Sequence, residues 1–411
     1  MKEKITIGII GLGQRGKSLL CNSMNFDEVE IIAICDILDE RFEQAEKCIT
    51  EKGREIPFET KDYKEVVNLK PDAIIISVGW ALHLEVALYA MERDVTVAME
   101  VGGMHSIEEC WQLVDCYEKT KTPFMFLENC CYNKDEILAT SLVRNGLLGE
   151  ISYCSGAYCH DLRNEIAGAI DTHHYRLEEY KNHNCDNYPT HELGPIAKIL
   201  NINRGNRFVR LVSMSSKAVG MTNYINKTDA YKERLKGTSF KQGDVTTTMI
   251  YCENGEMITL KLDTTLPHLY DRALTVCGTE GWYNQTYQMV VLDNGEMNHE
   301  ASLSEGEFFK NQEKYNDYLS DDWRVISQEQ IDAGHGGMDY VMLSHFFKAV
   351  KNGDKEMPID VYDAVAWMCI TALSEESIVK GNVPVEIPDF TKGNYKVRPQ
   401  KDVVVIPQVQ K

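Results

Sequence analysis

The chain has 411 residues, 43 Lys and Arg against 63 Asp and Glu, a formal net charge of −20, and 43% hydrophobic residues. That length suggests two or three domains with substantial cores. The acidity speaks against nucleic acid or anionic membrane partners and reads as a solubility device. No run reaches the ~20 apolar residues a membrane helix needs. The N-terminal apolar run, Ile5–Ile10, is short, lacks a small-residue cleavage site, and reads as a first strand rather than a leader. Thirteen cysteines without a Cys-x-x-Cys pair, and no His-Glu-x-x-His, suggest free thiols in a reducing cytoplasm and no metal site. Adjacent Cys130 and Cys131 read as buried packing.

Strand Ile5–Ile10 runs into Gly11-Leu-Gly13-Gln14-Arg15-Gly16, and a helix-like stretch, Lys17–Met24, follows. This Gly-x-Gly-x-x-Gly gives a tight turn at Gly11, close approach of backbone to a pyrophosphate at Gly13, and close helix–strand packing at Gly16. Asp36 ends the next apolar run, Val29–Cys35. A carboxylate there can hydrogen-bond both ribose hydroxyls and repels a 2′-phosphate, so the expected cofactor is NAD rather than NADP. Further strands are expected at Ala73–Val78, Val95–Met99 and Phe124–Leu127. Helices are expected between them, at Leu38–Glu51, Tyr63–Leu69, Leu82–Arg93 and Ile107–Lys119. This alternation predicts an α/β fold whose residues 1–127 form a Rossmann domain, a doubly wound parallel sheet with ligands at the strand carboxyl ends. Trp80, His83, Glu100, Val101 and Asn129 fall at those ends.

The pattern changes after residue 128. A helix at Glu136–Asn145 and a long strand at Ile151–His160 precede a polar loop, Asp171–Asn187. A helix at Leu193–Leu200 and strands at Phe208–Met214, Val245–Tyr251, Met257–Leu262 and Leu274–Val276 follow. Two apolar helices, Tyr340–Val350 and Ala364–Val379, close the chain. Residues 128–411 read as one α+β substrate domain with a large open, mostly antiparallel sheet.

Two stretches of this second half concentrate polar and aromatic groups. In Tyr188-Pro189-Thr190-His191 the proline fixes a loop, and Tyr and His project three apart from an incipient helix. Histidine carries protons near neutral pH and tyrosine can assist it, although a histidine packed in a turn would look the same. In Gly334-His335-Gly-Gly-Met-Asp339, Asp339 reads equally well as a helix cap.

With these residues in view, the chain resembles the Gfo/Idh/MocA oxidoreductase superfamily over nearly its whole length. Ordinary dehydrogenases of that superfamily carry Glu-Lys-Pro where this chain has Glu100-Val101-Gly102, so their active-site lysine is absent. Their Asp-x-x-x-His is also altered, with Asn187 four residues before His191. The narrower resemblance is to glycoside hydrolase family 109, the NAD-dependent α-N-acetylgalactosaminidases. It is carried by Glu100-Val101, Leu-Glu-Asn-Cys-Cys-Tyr at 127–132, Gly-Ala-Tyr at 156–158, Tyr-Pro-Thr-His at 188–191 with Leu-Gly-Pro after it, Leu-Asn-Ile-Asn-Arg-Gly at 200–205, and His-Gly-Gly-Met-Asp at 335–339. Gly102-Gly103 departs from that family, where proline usually follows the valine.

The resemblance implies NAD contacts from Gln14, Arg15, Asp36, Trp80, His83, Glu100, Val101 and Asn129. It implies sugar contacts from Tyr158, Arg176, Tyr188, Thr190, His191 and Tyr270. The activity it implies is retaining glycoside hydrolysis with NAD recycled in each turnover. The steps are transient oxidation at C3, elimination of the aglycone, addition of water and re-reduction. His191 is then the principal acid/base backed by Tyr188, Tyr132 an acid toward the leaving oxygen, and Glu100 a positioning group. The expected partner is a small glycoside, with association into a homo-oligomer left open. The alternative is an NAD-dependent sugar dehydrogenase.

Overall fold

A computed structural model describes residues 3–102, 104–295, 302 and 308–409, so Gly103 lies outside the described residues. The chain divides into two compact units. One comprises Met1–Lys134, Asp321–Val365 and Asp402–Val405; the other comprises Asp135–Ser320, Ala366–Lys401 and Ile406–Lys411. Residues 321–365 thus pack with the N-terminal unit.

The N-terminal unit is built on six parallel strands: β1 (Ile5–Ile10), β2 (Val29–Cys35), β3 (Phe58–Thr60), β4 (Ala73–Ile76), β5 (Thr96–Met99) and β6 (Phe124–Phe126). Their spatial order is β3-β2-β1-β4-β5-β6, which places the reversal of winding between β1 and β4. Both faces of such a sheet are covered, so its strands are near-continuous apolar runs. Ile7, Ile9, Ile74, Ile75 and Ala98 are accordingly fully buried. The helices between strands show ordinary local signals, such as the Ser106 and Glu109 capping box that starts helix Ile107–Thr120. Helices Gln14–Ser23 and Asp39–Glu51 are joined by a Cys21–Cys48 disulfide, with Cα atoms 6.3 Å apart. This corrects the expectation that all the thiols are free.

Among the described residues the second unit carries eight strands: β7 (Ile151–Cys159), β8 (Phe208–Ser215), β9 (Val245–Cys252), β10 (Met257–Asp263), β11 (Thr275–Gly278), β12 (Gly281–Asn284), β13 (Met289–Leu292) and β14 (Val385–Glu386). Their order is β13-β12-β11-β7-β10-β9-β8-β14, parallel only between β7 and β10. The sheet is the expected large, mostly antiparallel one. Strand β9 alternates buried and exposed residues along its length, the signature of one covered and one open face. Helix Thr190–Ile199 lies against β7, where a side chain at Gly156 would strike Glu192.

The stretch 171–187 is not the loop the sequence suggested. It holds the end of helix Arg163–Thr172 and all of helix Arg176–Asn182, whose Leu177 and Tyr180 enter a cluster with Tyr158, Leu162, Ile166 and Leu262. No described helix is long and apolar enough to cross a membrane.

Candidate active site

In the N-terminal unit, the glycine loop divides its work by position. Gly11 has φ +93°, a left-handed conformation open to glycine, and a side chain there would strike the backbone of Ser77. A side chain at Gly16 would strike the Gly11 carbonyl. At Gly13, by contrast, an added Cβ meets nothing within 4 Å. Gly13 also caps helix Gln14–Ser23 without a side-chain hydrogen bond. The open space above Gly13 and the first N–H groups of that helix suit a pyrophosphate. The residues therefore fit a dinucleotide.

Asp36 braces this loop: its Oδ2 accepts from the Leu12 N–H at 2.7 Å and its Oδ1 from Leu38 N–H at 3.0 Å. Gln14 is exposed, and Val101 is buried. The Trp80 indole is buried against Gly102, whose φ of +84° and contact with the ring leave no room for a side chain. His83 is buried with Nδ1 3.0 Å from the Gly102 carbonyl and Nε2 3.0 Å from the Val78 carbonyl. Burial pushes its pKa down to about 4, against the pull of those two carbonyls. His83 is therefore a neutral, buried ring whose single N–H donates to one of the two carbonyls, and it is not a proton carrier.

Arg15 gathers a charged network. Its Nε donates to Glu100 Oε1 at 2.8 Å, and Nη1 and Nη2 donate to the two oxygens of Asp339 at 2.6 and 2.9 Å. Asn129 Nδ2 donates to Asp339 Oδ1 at 2.8 Å, and His335 Nδ1 lies 2.7 Å from Oδ2. One guanidinium thus serves two buried carboxylates unequally. Burial pushes Asp339 up, but the forked pairing with Arg15 and the His335 contact outweigh it and hold it well below the usual carboxylate range. Glu100 has the single contact, and burial leaves its pKa raised despite Arg15. Asp339 lies in the first turn of helix Met338–Asn352 and is completely buried. It is a side chain the sequence left open as a cap and the structure makes the centre of the network.

Tyr132 is 0% exposed, its ring centroid 5.8 Å from that of His345. Its hydroxyl meets no hydrogen-bond partner among the described residues, and burial holds its pKa well above the ordinary value. A phenol so enclosed is held by the packing around it.

The second unit brings together the expected sugar-contacting rings. Tyr158, at the end of β7, stacks on Tyr188 with centroids 4.7 Å apart. His191 stands edge-on to both, 5.5 Å from Tyr158 and 4.7 Å from Tyr188. Tyr270 is 6.2 Å from Tyr158 and 5.2 Å from His160. It is 47% exposed, and its hydroxyl accepts from Arg272, which is anchored on Glu136. Thr190 is buried at the start of the helix that carries His191. Arg176 spreads its guanidinium 4.7 Å over the Tyr188 ring while pairing with Glu165 at 2.8 Å. Sequence reasoning missed Glu165, His160 and Tyr180, whose hydroxyl meets Thr264 at 2.5 Å. Each acts through a partner on another segment, and no local pattern announces that. Tyr158 is buried among these neighbours, while Tyr188 and His191 are half-buried and Tyr270 is exposed.

Known proteins resemble the two halves of the chain separately, on either side of residue 130. Residues 5–127 match the oxidoreductase family described as an NAD-binding Rossmann fold, and residues 132–397 match the Glycosyl hydrolase 109 C-terminal domain. The chain is 38% identical to glycosyl hydrolase family 109 protein 2 of Phocaeicola vulgatus, covering 96% of each protein. It is 35% identical to an alpha-N-acetylgalactosaminidase of Bacteroides fragilis, covering 95% of this chain and 93% of that one. Among solved structures, a levoglucosan dehydrogenase in complex with NADH and levoglucosan superposes with a TM-score of 0.68 at 19% identity, over 94% of this chain and all of that one. That last likeness concerns the fold. An NAD-binding Rossmann domain followed by this C-terminal domain, over nearly full-length relatives, means that the chain belongs to glycoside hydrolase family 109.

Proposed function

We propose that the chain is a retaining glycosidase for terminal α-N-acetylgalactosaminides or related glycosides, working by transient oxidation at C3, elimination across C1 and C2, addition of water and re-reduction. The observation that carries this reading is the three-ring corner of Tyr158, Tyr188 and His191, beside which no carboxylate pair of the ordinary glycosidase kind is called for. The printed name of the Bacteroides fragilis relative supports the substrate class. Bound at the glycine loop, NAD would supply a hydride acceptor for C3 and return the hydride before release.

The residues of the chain then divide the remaining work. His191 takes the proton of the C3 hydroxyl and later restores it, with its ring fixed by the two tyrosines it abuts. Tyr188 backs it, its ring lying beneath the Arg176 guanidinium. Glu100, tied to Arg15, orients rather than transfers a proton. The missing lysine at Val101 supports a reaction other than simple dehydrogenation.

Protein stripped of bound nucleotide should cleave nitrophenyl α-N-acetylgalactosaminide only once NAD is restored. Product made in D₂O should carry deuterium at C2, because elimination removes that hydrogen. Complete absence of label would rule out elimination. Stoichiometric NADH from free sugar would instead identify a sugar dehydrogenase.

A further inference from the structure

On the second unit, three side chains with metal-binding chemistry converge from segments that no spacing motif connects. Cys159 ends β7 and Asp263 ends β10. The two are register partners in the parallel pair, so their side chains share one face of the sheet. His268 follows on the turn after β10, held there by its carbonyl, which accepts from Asp161 N–H at 3.2 Å. The Cys159 sulfur, a carboxylate oxygen of Asp263 and a ring nitrogen of His268 all lie within 4.8 Å of one another.

Two further observations point to a ligand rather than to idle polarity. Asp263 is only 4% exposed, yet its Oδ1 has no hydrogen-bond partner among the described residues. A buried carboxylate oxygen left so is costly unless something neutralises it. Its Oδ2 has the Lys261 amine at 3.7 Å, a separation longer than a hydrogen bond, from a side chain that is 42% exposed. Secondly, His268 Nδ1 lies 2.6 Å from the Leu269 carbonyl. A carbonyl only accepts, so Nδ1 carries the hydrogen and the lone pair resides on Nε2. Metal-binding histidines are commonly oriented by such a contact.

We propose that Cys159, Asp263 and His268 form a zinc site on the second unit, with a fourth position open to water. Thiolate, imidazole and carboxylate together suit Zn²⁺ among the common divalent ions. Metal–ligand bonds of about 2.0–2.3 Å require the three atoms to close by roughly 1 Å, which is within reach of side-chain rotation. Binding releases the Cys159 proton to solvent, and the ion then sits between one thiolate and one carboxylate. It ties the ends of β7 and β10 to the turn that leads to Tyr270. The site stands on its own residues, independent of the glycosidase reading.

The full-length protein, stripped with a chelator and kept reduced, is titrated with Co²⁺. One equivalent should produce a thiolate-to-cobalt charge-transfer absorption that Zn²⁺ then abolishes. Cys159→Ser should remove the band. Asp263→Asn and His268→Gln should each weaken Co²⁺ binding at least about tenfold, a loss typical of disturbed metal sites. No band in the wild-type protein, or a band that survives in Cys159→Ser, overturns the proposal. Should Cys159→Ser fail to fold, His268→Gln decides on its half-exposed turn, and unchanged affinity there overturns it equally.

Discussion

The ring of His191 is held edge-on by two tyrosines, so its removal changes chemistry more than packing. His191→Ala should lower turnover roughly 10²–10⁴-fold, the usual contribution of a general base. Single-turnover and steady-state rates on an activated glycoside check this, and near-normal turnover would unseat the assignment. Asp186, on the same segment, is a different kind of residue. It is 0% exposed, and burial pushes its pKa up to about 7, with the Thr248 hydroxyl opposing. In the unfolded chain its value is about 3.9. Between about pH 4 and pH 7 the folded form therefore holds a proton that the unfolded form has lost, so this residue's contribution to stability falls as pH rises and is level above pH 7. Asp186→Asn should be more stable than the parent by up to about 3–4 kcal/mol above pH 7, with the difference vanishing near pH 4. Urea unfolding at the two pH values measures it.

At the scale of elements, the Cys21–Cys48 bond clamps the helix that begins at the glycine loop to the helix that follows Asp36. Closing a loop with a sequence separation of 27 contributes about 3–4 kcal/mol by chain entropy. Reduction should lower the unfolding midpoint of this unit by roughly 5–15 °C. Thiol titration of the denatured, unreduced protein should count 11 free thiols rather than 13. The strands of the parallel sheet were legible because burial on both faces makes them plain apolar runs. The glycine loop was legible because its steric demands are local. Helix Arg176–Asn182 was not, since its sequence is polar and its place is set by Tyr180 packing inward and Arg176 pairing with Glu165. Nor was the partnership of Arg15 and Asp339, 324 residues apart along the chain. The cysteine spacings likewise gave no hint of the disulfide, because Cys21 and Cys48 are joined by the packing of two helices.

At the scale of the whole molecule, residues 321–365 return to the N-terminal unit and bring Asp339 to the loop that starts the chain. Pattern reading finds the helix at 340–350 but neither the short helices Asp321–Val325 and Gln328–Asp332 nor the segment's destination, which is a matter of topology. On the proposed mechanism the cofactor is regenerated in each turnover and has no need to exchange, and the Arg15 network ties the glycine-loop helix to Asn129 and Asp339. The purified protein should therefore carry close to one equivalent of nucleotide, measurable by absorbance after acid release. A nucleotide-free preparation with weak NAD affinity would contradict this reading.

Asp36 has a consequence for how the protein can change. The carboxylate proposed to discriminate against a 2′-phosphate also accepts the Leu12 and Leu38 N–H groups, so it is part of the scaffold that shapes the glycine loop. Exchanging it for a small neutral residue, the simplest route toward NADP, would strip two backbone donors of their acceptor, at a cost of about 1–3 kcal/mol each where they are shielded from water. Coenzyme choice is thus coupled to structural integrity, and an altered preference can arise only together with a second change that restores the lost bracing.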